Sequence, residues 1–215
     1  MAVITKIEEQ KNKKRVNIFV DDAFFCGLLK ETAVVFGLKV GKQVNEKQLE
    51  EAIFNSEVKR AFEKASDYIG DRMHTKKELC DKLAKKGFEK NVANEAVKKL
   101  EEYHYVDDEL FAKHFVNDNK KYSKKMLESK LRQKGVSLEI ISTVLDFRSD
   151  EDEIEACKKH AQTYAKGKDI RTKEGKQKLF GSLARRGYGF DVIKKACKSL
   201  LDSDDESEDF YDNDL

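Results

Sequence analysis

Proline is absent from all 215 residues, where average usage would supply roughly ten. Without it the backbone has no obligatory break, which suits long or closely stacked helices. Cysteine is sparse and dispersed: Cys26, Cys80, Cys157 and Cys197 form no C-x-x-C pair and no Cys/His ligand spacing. That argues against a disulfide scaffold, and with no signal-peptide pattern it points to a reducing cytoplasm. No apolar run approaches the ~18 residues that span a bilayer, so no membrane association is expected. Histidine is equally thin, and His74, His104, His114 and His160 form no His-x-x-x-His pair. A Walker loop, a G-x-G-x-x-G turn and a G-x-S-x-G elbow are all missing. The expectation is a protein that catalyses nothing, with no cofactor and no metal.

What is present is charge, at 39% of residues, matched by 39% hydrophobic residues. That balance predicts a thin core and an elongated shape. The net charge of +2 hides a segregation. Residues 202–215 hold eight acids and no base, leaving 43 bases against 33 acids in the rest. Between Lys158 and Lys198 there are 13 Lys/Arg and 3 Asp/Glu. A basic body with an acidic tail points to a polyanionic partner, although a merely soluble surface has the same composition.

The chain repeats itself. Leu79, Leu83, Gly87 and Phe88 recur as Leu127, Leu131, Gly135 and Val136, and again as Leu179, Leu183, Gly187 and Tyr188. Leucines four apart share one helix face. A glycine four residues later, followed by an apolar residue, reads as a left-handed stop with a hydrophobic contact beyond it. Val92, Ile140 and Val192 follow five residues past each glycine, and an amphipathic stretch precedes each leucine pair. The fold class is therefore mainly α: three copies of a three-helix unit in an elongated, curved stack, with a small N-terminal β-meander. Copies of about 50 residues should stack to be stable.

The meander is read at Val3–Glu9, Arg15–Val20 and Ala23–Leu28, with Asp21-Asp22 as a two-residue turn. A short helix over 30–37 and a turn over 41–45 follow, and Asn45 caps a helix running to about Ile69. The expected domains are a β-rich extension at 1–45, helical repeats at 46–106, 107–150 and 151–201, and an acidic disordered tail at 202–215. The third copy carries four extra residues within 166–175, with Gly175 before its middle helix and Gly181 inside it.

Asp107-Asp108-Glu109 is the one dense carboxylate cluster before the tail and reads as a helix start. The basic residues say more. Thr75–Glu78 is a capping box, and Ser123 precedes the equivalent helix of copy two. Lys76, Lys124 and Lys176 share one slot, three residues before the first leucine. In copies one and two that slot is a helix N-terminus, where the dipole disfavours a cation. A phosphate held by lysine and free backbone N–H groups would explain it. Lys86, Lys134 and Arg186 sit at helix C-termini, which the dipole alone accounts for. The expected nucleic-acid contacts are Lys76, Lys120, Lys121, Lys124, Lys125, Arg132, Lys168, Arg171, Lys176, Arg185 and Arg186, acting on phosphates without sequence choice.

The K-x-E-L-x-x-K-L-x-x-K-G-[FV] pattern at Lys76–Phe88, its echo at Lys124–Val136 and the junction Tyr105-Val-Asp-Asp-Glu-Leu-Phe-Ala112 resemble the RecX family of bacterial regulatory proteins. The resemblance covers about residues 1–201. It implies a monomeric, cytoplasmic modulator of the RecA recombinase in DNA repair and the SOS response. Such a protein lodges in the groove of RecA filaments on single- or double-stranded DNA and limits their activity. Two other readings stay open on the residues alone: an autonomous nucleic-acid-binding module, and a protein-interaction scaffold.

Overall fold

The structure, a computed structural model, describes residues 2–201; the acidic tail expected at 202–215 lies outside the described residues. The chain runs β1 (Ala2–Glu9), β2 (Arg15–Val20), β3 (Ala23–Leu29), α1 (Lys30–Val35), β4 (Gln43–Val44) and α2 (Glu46–Asp71). The helices α3 (Lys76–Lys86), α4 (Lys90–Glu102), α5 (Asp108–Asp118), α6 (Lys124–Gln133), α7 (Leu138–Asp146), α8 (Asp150–Ala165), α9 (Lys173–Arg185) and α10 (Phe190–Leu201) complete it. It divides into two compact units, the first ending at Phe111 and the second beginning at Ala112.

In the first unit the strands form one antiparallel sheet in the order β3-β2-β1-β4. Asp21 and Asp22 both take positive φ, 47° and 66°, as a two-residue hairpin turn requires. Where a turn was expected at 41–45, Gln43–Val44 instead pairs with Ala2 and Val3 as a fourth strand. Two residues are too few to show alternation, so the pattern could not announce it. Ile4, Ile18 and Leu28 are fully buried in the sheet's core, together with Ile53 of α2. Leu79 and Leu83 of α3 are fully buried against Val58, Ala61 and Ala65 of α2 and Ala96 and Leu100 of α4.

The second unit repeats the device. Leu127 and Leu131 of α6, and Leu179 and Leu183 of α9, are at most 1% exposed. Each such side chain contributes about 1.5–3 kcal/mol by leaving water. The three helix-ending glycines adopt φ of 101° (Gly87), 85° (Gly135) and 87° (Gly187), the left-handed stop that their spacing predicts. The third copy departs at its entry. Gly175 does not precede the middle helix but lies inside its first turn, because Thr172 caps α9 by accepting from the Gly175 amide at 3.1 Å. The preceding loop passes so close that a Cβ on Gly175 would stand 2.1 Å from the Asp169 carbonyl oxygen. Glycine is required there for space.

Candidate nucleic-acid interface

The middle helices α3 and α6 begin alike. Thr75 and Ser123 accept from Glu78 N and Met126 N, each at 3.1 Å, as the capping pattern predicts. The next free amide is taken in each case by a buried carboxylate. Asp108 Oδ1 accepts from Lys76 N at 2.9 Å, and both Glu153 oxygens accept from Lys124 N at 3.0 Å. Asp108 is 6% exposed and Glu153 5%. Burial raises the Asp108 carboxyl above the usual carboxylate range, against the pull of the Lys76 amide and charge.

These carboxylates occupy amides that the phosphate reading of the slot took as free. An incoming phosphate would have to displace a buried acid from the amide it already satisfies. The cations have a local explanation too: Lys76 Nζ donates to Glu101 at 2.7 Å and Lys124 Nζ to Asp150 at 3.2 Å. The hydrogen bond to Glu101 holds the Lys76 ammonium above its ordinary pKa. At the third copy the slot is not a helix start at all, since α9 begins three residues before Lys176. Of the triplet Asp107-Asp108-Glu109, Asp107 caps α5, accepting from Glu109 N at 2.8 Å and Leu110 N at 2.9 Å.

In the second unit a different set of bases comes together. The turn between α5 and α6 is pinned through its carbonyls. Arg148 Nη2 donates to Lys120 O at 3.0 Å, and His160 Nε2 and Tyr188 Oη approach Lys121 O at 3.0 and 3.1 Å. Ser123 Oγ donates to Arg186 O at 2.6 Å. A Cβ on Gly187 would lie 3.1 Å from Lys125 Cβ. Lys120, Lys121, Lys124 and Lys125 are thereby tied to Arg186 and its neighbour Arg185 through fixed backbone. Lys120, Lys121, Lys125, Arg185 and Arg186 are exposed. Farther along α6, Arg132 pairs with Glu128 at 3.4 Å. Lys168 lies over the Tyr164 ring at 3.6 Å on the α8–α9 connection, followed by exposed Arg171 and then by half-buried Lys176 in α9. Lys76 belongs to the first unit.

Spacing did not find Arg148, whose guanidinium is buried 3.5 Å from Glu153 and leaves Nη1 without a hydrogen bond. Arg15 was missed as well. It is 5% exposed, donates to Gly87 O and Gly27 O at 2.7 Å, and meets Glu89. Glu57 is also buried, 3.9 Å from Arg15, and accepts from Leu29 N at 2.6 Å. A charged residue at a strand start, as Arg15 is, ordinarily reads as exposed. Burial pushes the Cys157 thiol up to about 12 and Cys197 to about 11, away from the thiolate form.

Four family models match the chain: the regulatory protein RecX N-terminal domain over residues 2–45, and the first, second and third RecX three-helix domains over 61–100, 107–145 and 150–197. The regulatory protein RecX of Bacillus licheniformis is 38% identical over 214 residues, covering 97% of this chain and 80% of its own. That of Clostridioides difficile is 31% identical, covering 95% of this chain and 99% of its own. A crystal structure of regulatory protein RecX superposes with a TM-score of 0.64 at 25% identity, covering 90% of this chain and 99% of that one.

Proposed function

The chain belongs to the RecX family of regulatory proteins, and from that premise we propose that it regulates recombination by binding RecA–DNA filaments and restraining their activity. It acts as a cytoplasmic monomer, and its basic side chains meet the phosphates of single- or double-stranded DNA without reading bases. The observation that supports this best is the fixed cluster of Lys120, Lys121, Lys124 and Lys125 with Arg185 and Arg186. Bases that are exposed, Lys124 apart, on a backbone pinned by Arg148, Tyr188 and Ser123 are preorganised for a polyanion, so little ordering remains to be done on binding.

Reversing charge at Lys124, Lys125 and Arg132 tests it. Lys125 and Arg132 are exposed and Lys124 is half-buried, and surface changes of this kind cost under about 0.5 kcal/mol each. Circular dichroism should therefore match wild type, while the restraint on RecA-driven strand exchange should be largely lost. A variant that restrains RecA as fully as wild type places the contact elsewhere. A wild-type protein with no effect on RecA ATPase or strand exchange ends the proposal in favour of an interaction scaffold.

A further inference from the structure

The first unit carries a groove of about 760 Å³ between the sheet and the first helical repeat. Its walls carry Lys13, Lys14, Lys30, Arg60, Lys64 and Lys86, against three acids, Glu31, Glu63 and Asp67. None of these bases except Lys86 stands in the repeats' leucine–glycine pattern, and Lys86 is explicable there by the helix dipole alone. The groove gives it company.

The bases fall into two groups. On the α2 side, Arg60 pairs with Glu31 and donates to Thr32 Oγ1 at 3.2 Å, and Lys64 pairs with Asp67 at 2.8 Å. On the β1–β2 turn and at the end of α3, Lys13, Lys14 and Lys86 have no acidic partner among the described residues. The fold brings the segments that carry these lysines together. Lys14 precedes Arg15 and Lys86 precedes Gly87, and the buried Arg15–Gly87 hydrogen bond of 2.7 Å joins the two segments. A second bond, Lys30 N to Lys14 O at 2.9 Å, ties in Lys30, whose own ammonium pairs with Glu9. Gly87 sits so close to the β1–β2 turn that a Cβ would lie 3.1 Å from Asn12 Nδ2 and 3.8 Å from Lys14 Cβ. Leu29 and Phe88 add apolar surface to the lining.

Lysines without acidic partners along one groove raise the local positive potential, which attracts a polyanion. The groove's size is that of a small-ligand cleft and far below the girth of a duplex. Bases and apolar side chains in one groove suit a single strand, whose phosphates and base faces can be met together. We propose that this groove holds a single strand of nucleic acid by its phosphates, through Lys13, Lys14 and Lys86, as a contact in addition to the cluster of the second unit. The proposal rests on the reading that this protein touches DNA.

The test is fluorescence anisotropy of labelled oligo(dT) with the full chain across a salt series. It compares wild type, Lys13→Glu/Lys14→Glu/Lys86→Glu and the neutral Lys13→Gln/Lys14→Gln/Lys86→Gln, with circular dichroism as the folding control. Losing three phosphate contacts should lower the salt slope by about 2 and weaken binding roughly a hundredfold near 0.1 M salt. The neutral variant should weaken it too, which separates lost contacts from added repulsion. Duplex binding should fall much less. If both groove variants bind oligo(dT) like wild type, while charge reversal at Lys124, Lys125 and Arg132 abolishes binding, the groove proposal is overturned and the DNA reading stands. If wild type binds no oligonucleotide, both fail. If the groove variants keep the oligonucleotide but lose RecA, the groove is a protein contact and the proposal is likewise wrong.

Discussion

Gly87 in the first unit and Gly187 in the second close equivalent helices, and both turns are held from outside their own repeat. Gly187 docks on the helix start of the preceding copy: Ser123 Oγ donates to Arg186 O at 2.6 Å while accepting from Met126 N at 3.1 Å. Gly87 has no helical copy before it. It docks on the sheet, where Arg15 reaches its carbonyl at 2.7 Å. The sheet thus stands in for a preceding repeat, with a guanidinium where the second unit uses a hydroxyl. A hydroxyl can be buried with one bond made and one accepted. A guanidinium brings charge, and Glu57 and Glu89 are there to balance it.

The comparison is sharpest where it can be broken. Arg15→Ala leaves Glu57, 2% exposed, without its counter-charge, and removing one partner of a buried pair costs about 3–5 kcal/mol. Ser123→Ala removes a helix cap and one hydrogen bond, which together cost about 1–3 kcal/mol. Urea denaturation of the two variants at neutral pH should rank them in that order. Burial already raises the Glu57 carboxyl above its ordinary value, so without Arg15 it takes up a proton more readily still. The Arg15→Ala deficit should therefore shrink as pH falls. Equal costs for the two variants would mean that buried charge is not what separates the units.

A smaller difference is expected at the glycines themselves. Alanine at either position is forced into left-handed backbone, at about 1–2 kcal/mol. The space differs. At Gly87 the nearest atom to a new Cβ is the amide tip of exposed Asn12, which can swing aside. At Gly187 it is Ser123 Oγ at 2.9 Å, a buried hydroxyl bonded on two sides, with Lys125 Cβ behind it at 3.1 Å. Gly187→Ala should lose more stability than Gly87→Ala by thermal melting. The reverse order would show that the sheet, not the preceding helix, is the stiffer dock.

The repeats were legible because their signals are local. Leucines at a spacing of four, a glycine one turn on and a hydroxyl at the helix start all act within about ten residues. Unread were the contacts between segments far apart, such as Arg15 with Gly87 and Ser123 with Arg186, which no periodicity encodes. The occupancy of the lysine slot at Lys76 and Lys124 was unread for that reason: the acids that meet those helix ends arrive from α5 and α8. One clue was present. Capping α5 needs a single acid, and Asp107 supplies it, so Asp108 was left over. The clustering of Lys120–Lys125 was visible as charge, whereas its union with Arg186 depends on a hydroxyl 63 residues away. The groove bases Lys13, Lys14 and Lys86 looked unremarkable singly, and their meeting depends on a buried arginine that sequence reads as exposed.

The smallest expected effect separates the units by acid. His74 in the first unit is buried, while His160 in the second stays half-buried beside Lys121 O. Glu78 Oε2 lies 3.2 Å from His74 Nδ1 and Lys82 Nζ lies 3.1 Å from Nε2. Those partners suit one neutral tautomer, with the proton on Nδ1 and the Nε2 lone pair accepting from the ammonium. Adding a proton would set an N–H against Lys82. Burial foremost, and then the charges of Arg72 and Lys82, lower the His74 pKa below its ordinary 6.5, against the pull of Glu78; Tyr68 closes the ring edge-on. The unfolded chain binds this proton near pH 6.5 and the folded chain only at lower pH. Stability from this group is thus fully present above about 6.5 and is lost as pH falls towards the folded value, at no more than about 1.4 kcal/mol per pH unit. Urea midpoints for wild type and His74→Gln at pH 7.5, 6.5 and 5.5 measure it. The variant has no ring to titrate, so its disadvantage should narrow steadily with acid. If the two midpoints run parallel across that range, His74 does not make the first unit acid-sensitive, and the two units differ in their docking chemistry alone.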